Sequence, residues 1–170
     1  MEVRQFVLGE LLLKHDLFSV VQRKKQTVNG MLNEKSCGAV VYNKGSEVNY
    51  LLLQYEAGHW DFVKGNVEAG ETEQQTASRE LQEETGIADA KFIDNFKEKI
   101  TYFYKRQGNT VYKEVIFFLM EAGTADVTLS FEHIGYVWLP YTQAMQKLTF
   151  KNARDVLKKA NDYLKTQGNE

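Results

Sequence analysis

The chain has 170 residues, 43% of them hydrophobic and 26% charged, enough for one well-buried core and too few for two comfortable ones. With 21 Lys and Arg against 23 Asp and Glu the net charge is −2, so no overall basic field gathers long nucleic acid, and a small anionic ligand would need only local positive charge. The single Cys37 cannot form an internal disulfide, no secretory leader pattern opens the chain, and Glu10, Lys14 and Asp16 break the richest apolar stretch before it reaches membrane-spanning length. A soluble protein of the reducing cytoplasm, without a membrane partner, is expected.

Residues 1–35 carry Phe6, Val7, Leu11 to Leu13, Leu17, Phe18, Val20 and Val21 without a sustained period, and read as an extension holding a short helix and then a strand. The main domain is expected over residues 36–170. Cys37 to Tyr42 and Tyr50 to Tyr55 are strand-like and flank the turn-forming Asn43-Lys-Gly45-Ser, which predicts a hairpin. After the strand-like Trp60 to Val63 comes a helix with a capping box at Thr72 and Gln75, acids at its positive end in Glu71 and Glu73, and a left-handed stop at Gly86. Strands over Lys91 to Phe96, Ile100 to Lys105 and Val111 to Met120 follow, the last two joined by Gln107-Gly108-Asn109 as a second hairpin. Tyr136 to Leu139 is a short strand ended by Pro140. The rest is helical, with Ala144, Leu148, Ala153, Val156, Leu157, Ala160 and Leu164 on its apolar side. Strands interleaved with two or three helices predict a layered α/β domain.

The first helix carries the chemistry. At 3.6 residues per turn Glu84 lies about 40° and Glu83 about 60° from Glu80 around the axis, so the three acids share one sector. Neighbouring anions raise one another's pKa, and a hard divalent cation such as Mg²⁺ or Mn²⁺ would relieve the repulsion. Ala77 and Leu81 fall on the adjacent sector and can anchor the helix to a core, while Arg79 stands at i,i+4 from Glu83 and can orient it. Gly65, in the preceding loop, permits a close approach in which its carbonyl could complete the ion's shell.

The spacing Gly65, five residues, Glu71, seven residues, Arg79-Glu80-Leu81, one residue, Glu83-Glu84, one residue, Gly86-Ile87 resembles the Nudix box at every fixed position. The resemblance implies a Nudix-type α/β/α sandwich with a mixed sheet, Mg²⁺ (or Mn²⁺) as cofactor, and hydrolysis of a nucleoside diphosphate linked to another group. Gly65, Glu80, Glu83 and Glu84 are then the expected metal ligands.

Around the box, Leu51-Leu-Leu-Gln54, Gly58-His59-Trp60-Asp-Phe-Val-Lys64-Gly65, Ser130-Phe-Glu132-His133 and Tyr136-Val-Trp138-Leu139 resemble the asymmetrical diadenosine tetraphosphate hydrolases, from about Lys35 to near the C-terminus. That resemblance implies a nucleoside polyphosphate partner whose phosphates meet His59, Lys64 and Lys113. It also implies that adenine is sandwiched between Tyr102 or Tyr104 and Phe150, and that Glu132 approaches the metals. Tyr102 and Tyr104 share a strand face, so periodicity does not choose between them. Three departures bear on substrate choice: Val63 stands where the family has proline, Asn66 where it has histidine, and the tyrosine hairpin is longer.

The implied reaction is hydrolysis of diadenosine tetraphosphate to ATP and AMP, with Glu83 or Glu132 accepting the water proton and Lys64, Lys113 and His59 offsetting charge on the leaving nucleotide. Competing readings on the same framework are an RNA 5′ pyrophosphohydrolase, which the absence of excess positive charge disfavours, a pyrophosphatase for oxidised nucleoside triphosphates, and a nucleotide-binding module that does not cut, which the intact Glu80, Glu83 and Glu84 disfavour.

Overall fold

The computed structural model describes residues 27–28 and 31–167. The helix expected early in residues 1–35 lies outside the described residues. Strand β1 (Thr27–Val28) pairs antiparallel with the start of β2 (Met31–Lys44), so residues 31–35 belong to the longest central strand. Family-like residues and the final stretch of the expected extension are thus one continuous element.

Two apolar sets alternate along β2, with Val40 and Tyr42 on one face and Cys37, Ala39 and Val41 on the other, all buried. A strand covered on both sides needs this continuous apolar run rather than a half-polar alternation. Strand β7 (Asn109–Glu121) repeats the pattern with Val115, Phe117 and Leu119 against Ile116, Phe118 and Met120, and lies parallel to β2 from Leu32↔Val111 to Tyr42↔Glu121. All other pairings are antiparallel, so the sheet is mixed. Among the described residues it has eight strands, with a central order β4 (Trp60–Asp61), β3 (Val48–Tyr55), β2, β7, β6 (Lys91–Arg106). The short β5 (Val63–Asn66) joins β2 between its pairings with β1 and β3, and β8 (His133–Pro140) joins β3.

Helix α1 (Glu73–Thr85) covers one face through Ala77 and Leu81. Helices α2 (Tyr141–Lys147) and α3 (Lys151–Gln167) cover the other, where Ala153, Val156, Leu157 and Ala160 recur at three- and four-residue spacing. Each fully buried leucine here, such as Leu81 or Leu157, contributes roughly 1.5–3 kcal/mol of apolar burial. The result is the expected α/β/α sandwich. No helix among the described residues is long and apolar enough to cross a membrane.

Several boundaries differ from expectation: β2 runs on through Asn43 and Lys44, which pair with Asn49 and Val48, so the first hairpin turns at residues 45–47, and the strand expected over Trp60 to Val63 is divided at Phe62 into β4 and β5. The strands read separately over Lys91 to Phe96 and Ile100 to Lys105 are one element, because both flanks pair with β7 and the interruption is a bulge between Phe92 and Lys97. Asn95, at φ 60, takes the left-handed backbone, which asparagine tolerates better than most residues. The C-terminal helical segment is split at Leu148, where ψ is 128. Thr149 there leaves the helix to pair with β4: its N–H donates to the Trp60 carbonyl at 3.2 Å and its hydroxyl accepts from the Trp60 N–H at 2.9 Å. That cross-link carries Phe150 toward His59.

Candidate active site

Local chemistry holds α1 in place. The Thr72 hydroxyl accepts from the Gln75 N–H at 3.2 Å, the Gln75 side chain accepts from the Thr72 N–H at 2.8 Å, and Gly86 closes the helix at φ 73. With Ala77 and Leu81 in the core, the neighbouring sector bearing Glu80 and Glu84 turns inward. Glu84 is 4% exposed. A methyl group built on Gly65 would lie well inside van der Waals distance of all three Glu80 carboxyl atoms, so only glycine lets β5 approach this carboxylate.

The third acid is set apart. The Glu83 side chain is 60% exposed and meets Arg79 at 3.0 Å, the i,i+4 contact expected from the sequence. Arg79 does more than orient Glu83. Its Nε donates to Glu71 at 2.6 Å, Nη1 also donates to Glu80 at 2.8 Å, and Nη2 donates to the Asn66 carbonyl at 3.0 Å and to Glu71 at 3.1 Å. One guanidinium thereby ties the loop after β5 to the helix. Its hydrogen bonds hold the Glu71 carboxyl down at about 2.

Burial has the opposite effect on the inner pair. Desolvation, opposed by Arg79 and reinforced by Glu84 and Glu83, pushes Glu80 up to about 7. Glu84 is likewise raised, by desolvation against the pull of His133 and Lys64. His133 Nε2 lies 3.2 Å from Glu84 Oε2, but the two are not aligned as a hydrogen bond, so both atoms are buried without a hydrogen-bonding partner. Glu132, the neighbouring residue, is exposed at the rim and adds to the negative field on Glu84.

These features fit a divalent cation. Among the described residues no three Asp, Glu, His or Cys side chains converge into a complete cage. Mg²⁺, however, is commonly held by one or two carboxylates, with water and substrate phosphate filling the rest. The inward Glu80 and Glu84, with the orphaned Glu84 Oε2 and a Glu80 carboxyl whose pKa burial raises, would fit such a donor set.

Alternation along β5 sends Lys64 and Asn66 away from the α1 face. The Lys64 ammonium donates to the Tyr55 hydroxyl at 2.9 Å and pairs with the buried Asp61 at 3.1 Å, while the Tyr55 hydroxyl donates to the Phe62 carbonyl at 2.8 Å. Although the Tyr55 ring is partly accessible, its hydroxyl is enclosed, and desolvation beside Glu84 and Asp61 pushes it well above the usual phenol range. His59 stacks on Tyr55 with ring centroids 4.6 Å apart, and Phe150 lies 5.2 Å beyond it. Burial, assisted by Lys64, lowers the His59 pKa.

Tyr102, Lys113 and Glu34 occupy one cross-strand row through the pairings Tyr102↔Lys113 and Glu34↔Lys113. Lys113 is buried, donates to Asn66 Oδ1 at 2.8 Å and lies 3.5 Å from Glu34. Tyr104 donates to the same Glu34 at 2.6 Å. The tyrosines that periodicity left equivalent are therefore distinguished: Tyr104 is committed to Glu34, whereas Tyr102 faces the field of Lys64.

The structure brings together Gly65, Glu80 and Glu84, and separately His59 with Phe150 and Lys113 with Tyr102; Glu83 and Glu132 remain at the margin. Sequence reasoning passed over Tyr55, Asp61, His133 and Glu34. Asp61 and His133 stood inside motifs already singled out, and a carboxylate between Trp60 and Phe62 in an apolar strand was itself a signal of a buried partner. Glu34 carried no local signal.

A NUDIX domain family model matches residues 32–160. The asymmetrical bis(5′-nucleosyl)-tetraphosphatase of Sus scrofa is 34% identical over 143 residues, covering 76% of this chain and 95% of its own. The Caenorhabditis elegans protein of that name is 32% identical over 134 residues, covering 76% and 96%. The crystal structure of a C. elegans Ap4A hydrolase binary complex superposes with a TM-score of 0.70 at 30% identity, covering 78% of this chain and 98% of the other. The carboxylate helix, its glycine-bearing approach strand and these likenesses agree, and the chain belongs to the NUDIX family as a hydrolase of phosphoanhydride bonds.

Proposed function

We propose that this hydrolase cleaves nucleoside polyphosphates in a divalent-metal-dependent reaction, with diadenosine tetraphosphate as substrate and ATP and AMP as products. One observation carries the reading: half-buried Lys64, fixed by Tyr55 at 2.9 Å and Asp61 at 3.1 Å, sits where its charge bears on Glu84 on one side and on Tyr102 and Lys113 on the other. A polyphosphate held by the two lysines would be presented to the inner carboxylates, with a base stacked on Tyr102. The names of the tetraphosphatase relatives support this substrate class.

Glu80, Glu84 and the Gly65 carbonyl would hold Mg²⁺ or Mn²⁺, with exposed Glu83 joining as Arg79 releases it. The bound ion would supply Lewis-acid charge that acidifies water and neutralises phosphate oxygens. Glu83 or Glu132, both accessible, would accept the proton from the attacking water. Lys64, held by Tyr55 and Asp61, would meet phosphate charge without first having to order its own side chain. Lys113 would bind a neighbouring phosphate, His59 would donate a neutral hydrogen bond, and Phe150 would close on the base.

The test is product analysis in ¹⁸O-labelled water over a panel of diadenosine tetraphosphate, triphosphorylated RNA and an oxidised nucleoside triphosphate, with wild type and Glu84→Gln. ATP and AMP in equal amounts, label in one product, and loss of turnover in the variant are expected. Preferential cleavage of RNA or of the oxidised triphosphate overturns the substrate, and near-normal turnover by Glu84→Gln overturns the metal assignment.

A further inference from the structure

The β6–β7 hairpin and Asn66 meet at one residue, Lys113. The hairpin turns at Gln107 and Gly108, whose φ values of 51 and 79 are left-handed, and this places Tyr104 and Arg106 across β7 from the start of β2. There they close on Glu34: Tyr104 donates to it at 2.6 Å and Arg106 pairs with it. Glu34 in turn stands 3.5 Å from the Lys113 ammonium, whose other partner is Asn66 Oδ1 at 2.8 Å. Asn66 is itself held by the Ser36 hydroxyl at 3.1 Å. A flexible lysine stem is thus fixed from two directions by groups that are themselves fixed.

We propose that Glu34 is a positioning residue for Lys113, clamped by Tyr104 and Arg106 so that the lysine ammonium is kept in place for substrate phosphate. This rests on the polyphosphate reading above. A lone lysine buried this deeply would lose side-chain entropy on meeting phosphate and would be drawn toward its neutral form; a fixed counter-carboxylate orders the side chain before substrate arrives and opposes, without cancelling, the effect of burial. Lys64 is fixed in a related way, by the Asp61 carboxylate at 3.1 Å and by Tyr55, which there accepts directly from the ammonium at 2.9 Å. Each phosphate-facing lysine therefore has its own carboxylate and its own tyrosine nearby. The Glu34 carboxylate does not touch substrate in this arrangement and acts through Lys113.

A double-mutant cycle separates positioning from general structural damage. Glu34→Ala, Lys113→Met and the double variant are compared with wild type for kcat and KM on diadenosine tetraphosphate and for equilibrium binding of a nonhydrolysable analogue. Thermal unfolding is measured alongside, and Glu34→Gln and Tyr104→Phe serve as milder perturbations. Glu34→Ala is expected to raise KM and analogue Kd by roughly five- to tenfold, the scale of a misplaced charge-assisted contact, with the loss falling on KM rather than kcat. Glu34→Gln, which still accepts from Tyr104, should recover part of that loss. In the Lys113→Met background, Glu34→Ala should then change neither constant by more than about twofold. An equal effect of Glu34→Ala with and without Lys113 overturns the proposal, as does an unaltered KM in the single variant. Failure of wild type to cleave any dinucleoside polyphosphate would instead overturn the substrate reading, which keeps the two failures apart.

Discussion

Gly65→Ala tests whether the approach of β5 to α1 is the feature that places the inner carboxylate. The backbone at Gly65 is not in the left-handed region, so alanine is conformationally acceptable, and in a strand it offers roughly 0.5–1 kcal/mol through reduced entropy of the unfolded chain. The added methyl, however, falls well under the 3.0 Å separation that Cβ atoms keep, and its neighbours are the carboxyl carbon and both oxygens of Glu80. These are the far end of a flexible side chain, so the protein relieves the clash by swinging that carboxylate away by about 1 Å and loosening its 2.8 Å contact with Arg79. Displacement of a reacting group on that scale costs on the order of 100-fold in rate, about 2.7 kcal/mol of transition-state stabilisation. Hydrolysis at saturating Mg²⁺ should therefore collapse while the melting temperature stays within about 4 °C of wild type, the equivalent of less than 1–2 kcal/mol. A variant that retains activity within threefold of wild type, or one that loses it only by unfolding, refutes this account of Gly65.

Two further outcomes follow from the electrostatics. Because the folded protein holds Glu80 at about 7, and Glu84 raised, it binds their protons more tightly than the unfolded chain does; this stabilisation is complete below the unfolded pKa of 4.5 and is lost as pH rises through about 7. Metal-free protein should accordingly melt at lower temperature as pH goes from 5 to 7.5, added Mg²⁺ should flatten the trend, and Glu80→Gln should weaken it; a metal-free melting curve that rises over that window would contradict the assignment. The Glu71 contribution runs the other way, being present above 4.5 and lost as pH falls toward 2, and so lies outside that window. Tyr55→Phe removes the acceptor for Lys64 and leaves the Phe62 carbonyl unpaired, which should cost about 1 kcal/mol in denaturant unfolding and about five- to tenfold in kcat/KM. Unchanged kinetics in that variant would show that Asp61 alone holds the lysine.

What the amino-acid order determined by itself is whatever depends on near neighbours. The capping box at Thr72 and Gln75, the left-handed Gly86, the placing of Glu80 and Glu84 on one sector and the hairpin turn at Gln107 and Gly108 all follow from helical periodicity and turn chemistry, which act over a few residues. Tertiary structure decided the rest, because burial and charge at a side chain are set by chain far removed in order. Only packing could divide three equivalent-looking acids into an inward pair and an outward Glu83, since that division needs Arg79 to be shared with Glu71 and the loop carbonyl of Asn66. Likewise only the parallel registration of β2 with β7 sets Glu34 beside Lys113, 79 positions later, and only the Thr149–Trp60 cross-link turns Phe150 toward His59. Local rules shaped the carboxylate helix; desolvation and cross-strand contact made its surroundings into a site.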